Sequence, residues 1–246
     1  MSLKKKNQDE MMNLPLTINN FLIVFKEFLT VWLNQILYYN KIYDPLIFDE
    51  YKAFELIIKK NRHPQLDQYV DKLLLNIINN LIIGKKQTNG LNKISCLIYN
   101  TKSDKVIKSY SIKFYQFVIN LEKTINELKE STDSEDTSAI IDIPDITWIE
   151  IYTQFQTVLF KLIQELKKET SLEDIQYEVG MSMNSTMPDN DLFFKVIVDL
   201  DESIYASAEH WIRLNQSENT TIETVKPLAQ LDLDIMNFDI VNEYFQ

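Results

Sequence analysis

The sequence predicts a mixed α+β domain in which three main helices pack on a mostly antiparallel sheet. Residues 21–43 repeat apolar side chains at three- and four-residue steps, the spacing of an α-helix, and residues 64–84 and 147–168 do the same. Several shorter segments alternate with a period of two, which is typical of strands. With 246 residues and 45% apolar content, the chain is long enough to bury a sizeable core in one domain or at most two.

The first helical segment is so apolar that it is predicted to be the central helix. Leucines at 22, 29, 33 and 37 widen its aromatic stripe until only a narrow polar strip remains, so it must be covered on two or three sides. Either Thr17 or Asn20 is expected to cap its start, and Asp44-Pro45 to end it, because proline disfavours a helical residue before it. The stripe consists of Phe21, Phe25, Phe28, Trp32, Ile36, Tyr39 and Tyr43. Residues 1–17, polar and led by lysines, are predicted to be a flexible N-terminus.

The middle of the chain predicts a second helix followed by a hairpin. Residues 46–58 are interpreted as mostly loop, and the second helix begins at His63-Pro64 and ends at Gly84. Residues 93–99 and 106–114 alternate on either side of a polar turn, which predicts an antiparallel hairpin. Residues 116–129 have helical spacing, and residues 130–146 form an acidic insert that is expected to be a solvated loop.

The last third predicts one more helix, one buried strand and an extended ribbon. After the helix at 147–168 a polar loop is expected, and then residues 192–200, a near-continuous apolar run typical of a strand inside a sheet. From Glu202 onward no long helical pattern remains. Leu231, Leu233 and Ile235 alternate with acids, and the phase flips at Met236, which a bulge or bend would explain. The C-terminus is therefore predicted to wrap over the domain without adding core.

Composition excludes several classes of function. The net charge is −11, and only two of the 25 basic residues are arginines, so the clustered positive charge that phosphate contacts require is missing and direct nucleic-acid binding is not expected. The single Cys96 fits a reducing compartment. Neither a signal peptide nor a membrane-spanning run is predicted. The Lys4-Lys5-Lys6 run is more typical of a solvated terminus than of a nuclear address.

The sequence contains one candidate site for catalysis, at the end of the apolar strand. Asp199, Asp201 and Glu202 could hold Mg²⁺ for phosphoryl transfer. The three glycines, however, form no phosphate-binding loop, and acids at a strand end are more often solvated turn formers. The two histidines, His63 and His210, cannot build a zinc site with a single cysteine unless carboxylates join them, and His63 is expected to cap its helix. No catalytic residue, metal or cofactor is therefore predicted.

Two segments carry a resemblance to a known family. FLTVWLNQILYYNKIYDPLIF at 28–48, followed by NRHPQLDQYVDKLL at 61–74 and a hairpin, resembles the start of a HORMA domain, and the match is strongest with small accessory subunits of DNA polymerase zeta. The third helix, FFKVIVDL, Trp211-Ile212 and VKPLAQLDLDIMNFDI follow in the family's order. The resemblance places the domain at residues 18–242, with a core at 18–202 and a C-terminal "safety belt" at 203–242.

The resemblance implies a non-catalytic adaptor in the nucleus that clamps a peptide under its belt and supports translesion DNA synthesis. The partner it implies is a proline-bearing peptide of the polymerase catalytic subunit. The residues expected to bind that peptide are Tyr69, Trp211, Val225, Pro227 and Leu228. Asp239 and Val241 match positions that contact a second translesion polymerase, and the third helix matches a surface through which the family dimerises. The alternatives are a spindle-checkpoint HORMA protein with another partner peptide and, from a different class, the Mg²⁺-dependent enzyme. From spacing alone Tyr69 would be a core residue, because it lies between Leu66 and Leu73.

Overall fold

The computed structural model describes residues 14–78, 91–117, 146–180, 191–200, 212 and 222–245. Within these ranges the protein has three α-helices and seven strands. The helices are α1 (Ile18–Tyr39), α2 (Pro64–Asn76) and α3 (Trp148–Gly180), and the strands are β1 (Phe48–Ala53), β2 (Leu56–Asn61), β3 (Leu91–Asn100), β4 (Lys105–Phe117), β5 (Leu192–Leu200), β6 (Ile222–Leu233) and β7 (Met236–Phe245). The predicted helix at 116–129, most of the acidic insert at 130–146 and the first thirteen residues lie outside the described ranges.

Helix α1 is the central element, as predicted. Phe28 is fully buried, with its ring 4.6 Å from that of Phe155 on α3 and 5.5 Å from that of Phe238 on β7, so the helix is covered by α3 on one side and by the sheet on another. By length and apolar content α1 could pass for a membrane span, but 72% of that window is buried inside the protein. The helix is a core element here.

The ends of α1 differ from the prediction at one point. Thr17 is the N-cap, accepting a hydrogen bond from the backbone N–H of Asn20 at 3.2 Å. The helix ends at Tyr39 and not at Asp44-Pro45, because the Asn40 side chain caps the carbonyl of Ile36 at 2.9 Å and Lys41 turns into the left-handed region with φ 52°.

The N-terminal segment is also more ordered than predicted. Leu14 and Leu16 pack against the core, and the indole N–H of Trp148 donates to the carbonyl of Leu14 at 2.8 Å. The predicted flexible N-terminus is therefore wrong for residues 14–17.

A hairpin stands where mostly loop was predicted. Strands β1 and β2 pair antiparallel across Phe54 and Glu55, which both adopt positive φ. Buried amides of α1 complete the outer edge of β2: Gln35 donates to the carbonyl of Lys59 at 2.7 Å and accepts from its N–H at 3.2 Å, and Asn34 accepts from the N–H of Asn61 at 3.0 Å. These side chains replace a neighbouring strand and fix the hairpin to the central helix.

The main sheet has five antiparallel strands in the order β5-β3-β4-β7-β6. The β3–β4 hairpin is confirmed, and its predicted inward residues, among them Cys96, Tyr110 and Ile112, are fully buried. The apolar run of β5 predicted a strand inside the sheet. This prediction is wrong, because β5 lies at one edge.

The two other helices also differ from their predictions. Helix α3 continues to Gly180, so the polar loop predicted after residue 168 is wrong for its first twelve residues. Helix α2 begins at Pro64 as predicted, but His63 makes no side-chain capping hydrogen bond, so its predicted capping role is wrong. A π-helical turn follows at 77–78, and the predicted end at Gly84 lies outside the described ranges.

The C-terminal ribbon is a hairpin of the main sheet. The phase flip at Met236 is neither a bulge nor a bend but the tight turn at residues 234–235, across which Leu233 pairs with Met236. Strand β7 lies between β4 and β6, and Phe238 and Ile240 are fully buried. The prediction that the ribbon adds no core is therefore wrong, because an interior strand must bury its inward side chains.

Candidate peptide-binding site

The two outer strands of the main sheet differ in their ability to accept another strand. Strand β6 contains Pro227, which has no N–H, and its register shifts twice, between Ile222 and Thr224 and between Pro227 and Ala229. Strand β5 contains no proline, and it pairs without a shift from Asp199 to Leu192. Among the described strands nothing pairs with the outer edge of β5. This edge is the better template for an added strand.

An aromatic cluster of Tyr43, Tyr69 and Phe194 lies beside that edge on the helix side of the sheet. Leu66 and Val70 anchor α2 in the core, which leaves Tyr69 50% exposed at the border of β5. The ring of Phe194 is 6.1 Å from that of Tyr69 and 6.3 Å from that of Tyr43, edge-on in both cases. Tyr69 is therefore neither a core residue nor an isolated surface residue.

The electrostatics of the aromatic cluster are those of neutral phenols. Burial raises the pKa of Tyr69, and burial together with the neighbouring Tyr69 hydroxyl raises that of Tyr43. Both hydroxyls therefore remain hydrogen-bond donors at neutral pH. Flat aromatic faces with donor groups at their rim suit a stiff, proline-bearing segment, which loses little entropy on docking.

The other predicted peptide-binding residues lie elsewhere or outside the described ranges. Val225, Pro227 and Leu228 belong to β6, which is separated from β5 by β3, β4 and β7. Within the part of the chain that the structure describes, these three residues and Tyr69 therefore lie at opposite edges of the sheet and do not share a groove. Trp211 lies outside the described ranges, and its neighbour Ile212 is exposed.

The positions matched to a second polymerase are both occupied by local contacts. The side chain of Asp239 accepts a hydrogen bond from the hydroxyl of Tyr115 at 2.8 Å, and Tyr115 itself is largely exposed. Val241 is buried opposite Ser111 of β4. Of these side chains, Tyr115 is the one that presents apolar surface to a partner.

The Mg²⁺-dependent alternative concerns residues that lie mostly outside the described ranges. No group of three or more His, Cys, Asp or Glu among them could hold a metal ion, while Asp201, Glu202 and His210 lie outside the described ranges. Burial raises the pKa of the Cys96 thiol, so this cysteine is a thiol rather than a nucleophilic thiolate at neutral pH.

Sequence reasoning missed a partly buried polar group, which we call the Glu169 latch and which fastens the C-terminal hairpin to the helices. The carboxylate of Glu169 on α3 accepts hydrogen bonds from the hydroxyls of Tyr110 (2.9 Å) and Tyr244, and Lys108 forms an ion pair with it at 3.5 Å. The amide of Asn242 lies 3.4 Å away. Because these donors come from β4 and β7, one carboxylate fixes the position of β7 relative to α3. Periodicity could not reveal it, because Glu169 follows the apolar stripe of its helix.

No family model matches the chain. Solved structures share its fold at low sequence identity. A chain of the mitotic checkpoint complex superposes with a TM-score of 0.60 at 11% identity, over 91% of this chain and 98% of that one. HTP-2 of C. elegans bound to the HIM-3 closure motif gives 0.59 at 11% identity, over 99% of both chains, and C. elegans HTP-1 bound to the same motif gives 0.56 at 12% identity, over the full length of both.

The chain thus has the HORMA fold, and the fold class inferred from its sequence is confirmed. HORMA proteins are non-catalytic adaptors. In sequence it is similar to the DNA polymerase zeta processivity subunit of Saccharomyces cerevisiae, with 24% identity over 207 residues, which are 78% of this chain and 71% of that protein.

Proposed function

We propose that the protein is the accessory subunit of a DNA polymerase zeta and binds a proline-bearing peptide of the catalytic subunit along β5. In this role it supports translesion DNA synthesis in the nucleus. The similarity to the yeast processivity subunit supports the choice of partner. The structures of HTP-1 and HTP-2 bound to closure motifs support peptide capture as the mode of action.

One observation carries the proposal: β5 has the composition of an interior strand but lies at an edge. Its inward side chains, Phe194, Val196 and Val198, pack on the core only partly buried, and Phe193 on the other face is 52% exposed. A strand that is apolar along one face and partly apolar on the other, as β5 is with Phe193 and Ile197 beside Lys195 and Asp199, is normally covered by a neighbour, whereas edges are often interrupted by proline or bulges. An added strand would satisfy the free backbone groups of β5 and cover these side chains.

Main-chain pairing supplies only part of the binding energy. Each main-chain hydrogen bond contributes about 0.5–1.5 kcal/mol net, and an apolar anchor in the aromatic cluster adds on the order of 2 kcal/mol. Four or five hydrogen bonds and one anchor therefore contribute about 4–10 kcal/mol, which is of the same order as the cost of association, so tight binding requires further side-chain contacts beside the strand.

We further propose that the belt, residues 203–242, closes over the bound peptide and that Trp211 contacts it. The positions of the neighbouring strands support the idea. Strand β5 ends with Leu200 at one edge of the sheet, and β6 begins with Ile222 at the other edge, so the chain between them must pass from one edge to the other. Within the belt the β6–β7 hairpin is tied to α3 by the Glu169 latch and by an ion pair between Lys226 and Glu165. In this proposal the β6–β7 hairpin keeps its position when a peptide binds.

Two further contacts are part of the proposal. A second translesion polymerase would dock at the β4–β7 surface around Asp239 and Tyr115, with Val241 beneath it. A second copy of the chain would pack along α3, where Ile149 and Phe160 are exposed on the helix surface.

Co-purification tests the partner. The full chain is expressed with the polymerase zeta catalytic subunit of the same organism, and the bound region is mapped with overlapping peptides. We expect one proline-bearing segment to bind, and Tyr69→Ala to weaken it. Tyr51→Ala is the matched control, because Tyr51 is 41% exposed on the β1–β2 hairpin. Capture of a spindle-checkpoint peptide instead would favour the alternative of a spindle-checkpoint HORMA protein. Failure to bind any segment of the catalytic subunit would contradict the proposal.

A further inference from the structure

Strand β5 presents an ordered row of side chains on the face that points away from the helices. Since Phe194, Val196 and Val198 pack toward the core, the alternate residues Phe193, Lys195, Ile197 and Asp199 form the opposite row. We call these four residues the outer row. It places a positive and a negative side chain four residues apart, with the half-buried Ile197 between them.

The two charges of the outer row have no ionic partner among the described residues. Neighbouring lysines of the same sheet face are paired: Lys93 lies 3.1 Å and Lys113 3.6 Å from the carboxylate of Glu243. Lys195 makes no such pair, and its ammonium lies over the ring of Tyr99, 5.2 Å from the centroid. Asp199 is exposed, and the residue opposite it in β3 is Lys93, which is already engaged.

We propose that Lys195 and Asp199 select the direction and the register of the peptide strand that adds to β5. The inference rests on the proposed function, since it concerns the same edge. Residues four apart on one face of a strand are separated by about 13 Å, so a partner strand must carry its two charges at the same spacing to meet both. A slip by one residue would turn these charges to the other face, toward the aromatic cluster, where their desolvation is unfavourable.

The order of the two charges then reports the direction of the strand. A partner antiparallel to β5 passes Asp199 first and Lys195 second, so it reads base-x-x-x-acid. A parallel partner reads acid-x-x-x-base. In either case the residue midway between the charges lies opposite Ile197 and is apolar, and the two residues that flank it lie opposite Val196 and Val198 and are apolar or proline. The partner class is therefore an extended, amphipathic segment with a single oppositely charged pair at a spacing of four.

A selection with defined probes tests this inference. Random dodecapeptides displayed on phage are selected on the purified full chain and, in parallel, on Lys195→Glu/Asp199→Lys. We expect the chain to enrich one of the two orders and the double variant to enrich the other order at the same spacing. Cross-strand charge pairs contribute about 0.2–1 kcal/mol each. For two pairs, synthetic peptides of the two orders should therefore differ about tenfold in dissociation constant, with the preference inverted in the variant and reduced in high salt.

The control and the readouts separate failure of the inference from failure of the proposed function. Lys52→Glu/Glu55→Lys exchanges an exposed ion pair in the β1–β2 turn and should leave the selection unchanged. Binding is located by hydrogen exchange. Peptides that protect β5 but carry no charge pair at this spacing, or whose preference the double variant does not invert, overturn the inference and leave the proposed function in place. Peptides that protect only other elements, or a selection without any enrichment, contradict both.

Discussion

Removing the carboxylate of Glu169 tests whether the Glu169 latch holds the C-terminal hairpin. In Glu169→Ala the hydroxyl of Tyr244 loses its carboxylate acceptor, that of Tyr110 keeps only Asn40, 3.1 Å away, and Lys108, whose side chain is 13% exposed, loses its ion pair with Glu169. Breaking a buried charge pair by removing one partner costs about 3–5 kcal/mol, and we expect the lower end of this range because Lys108 is only partly buried and still lies 3.5 Å from the side-chain oxygen of Asn40. For a domain of this size that loss corresponds to a melting point lower by roughly 10 °C.

Two matched variants show whether the loss belongs to the latch. Glu169→Gln keeps an acceptor of similar shape and should cost about half as much. Glu165→Ala removes the neighbouring acid of α3, whose partner Lys226 is 39% exposed, and such a half-exposed pair contributes about 1 kcal/mol or less. The assay is unfolding in denaturant, with hydrogen exchange to follow residues 242–244. If Glu169→Ala were no less stable than Glu165→Ala, the latch would have no role in holding β7.

Four further outcomes follow from the same structure. Tyr69→Ala should weaken binding of the partner peptide by roughly 2 kcal/mol, or about thirtyfold by calorimetry, with little change in the melting point because Tyr69 is half exposed, while Tyr51→Ala leaves affinity unchanged. Trp211→Ala should weaken the same peptide to a similar degree if the belt contacts it, and a loss of folding stability with unchanged affinity would place it in the core. Deleting residues 222–246 should unfold the protein, since β7 is an interior strand, so a soluble and cooperatively melting truncation would contradict the topology. Finally, burial raises the pKa of Tyr39 to about 12 and that of Tyr244 still further. The unfolded protein therefore loses these protons first, so melts at increasing pH should show no effect of these tyrosines between neutral pH and about pH 10 and a falling stability above it.

The elements that the sequence predicted well are those whose periodicity is set by burial. Phe21, Phe25 and Phe28 recur at helical steps because one helix is covered on two sides, and Ile94, Cys96 and Ile98 alternate because one face of β3 is buried in the core. Such patterns follow from packing, so they can be recognised in the sequence without knowing which residues pack against them.

The elements that were missed depend on contacts that have no period. The β1–β2 turn uses Phe54 and Glu55 at positive φ, where glycine or asparagine would be the recognisable signal. Asn34 and Gln35 complete the edge of β2 from inside an apolar helix, although a polar residue there predicts only a solvated strip. For the same reason the sequence predicts only part of the candidate site. Tyr69 came from a resemblance, whereas Phe194, which lies against it, read as an ordinary residue of a buried strand.

The wrong prediction for β5 is itself an argument about how the protein works. The apolar composition of a strand reflects the groups that cover it when the protein functions. Among the described strands nothing covers the outer edge of β5. The other edge is closed by local means: Pro227 and two register shifts interrupt β6, and the Glu169 latch and Lys226 tie its hairpin to α3. The two edges of the sheet therefore differ: β6 is interrupted and tied to α3, whereas β5 is regular and has no neighbour among the described strands. An edge that is fastened and interrupted belongs to a permanent part of the domain, whereas an edge that remains regular, apolar and bordered by exposed aromatic rings is suited to a strand that comes from another chain.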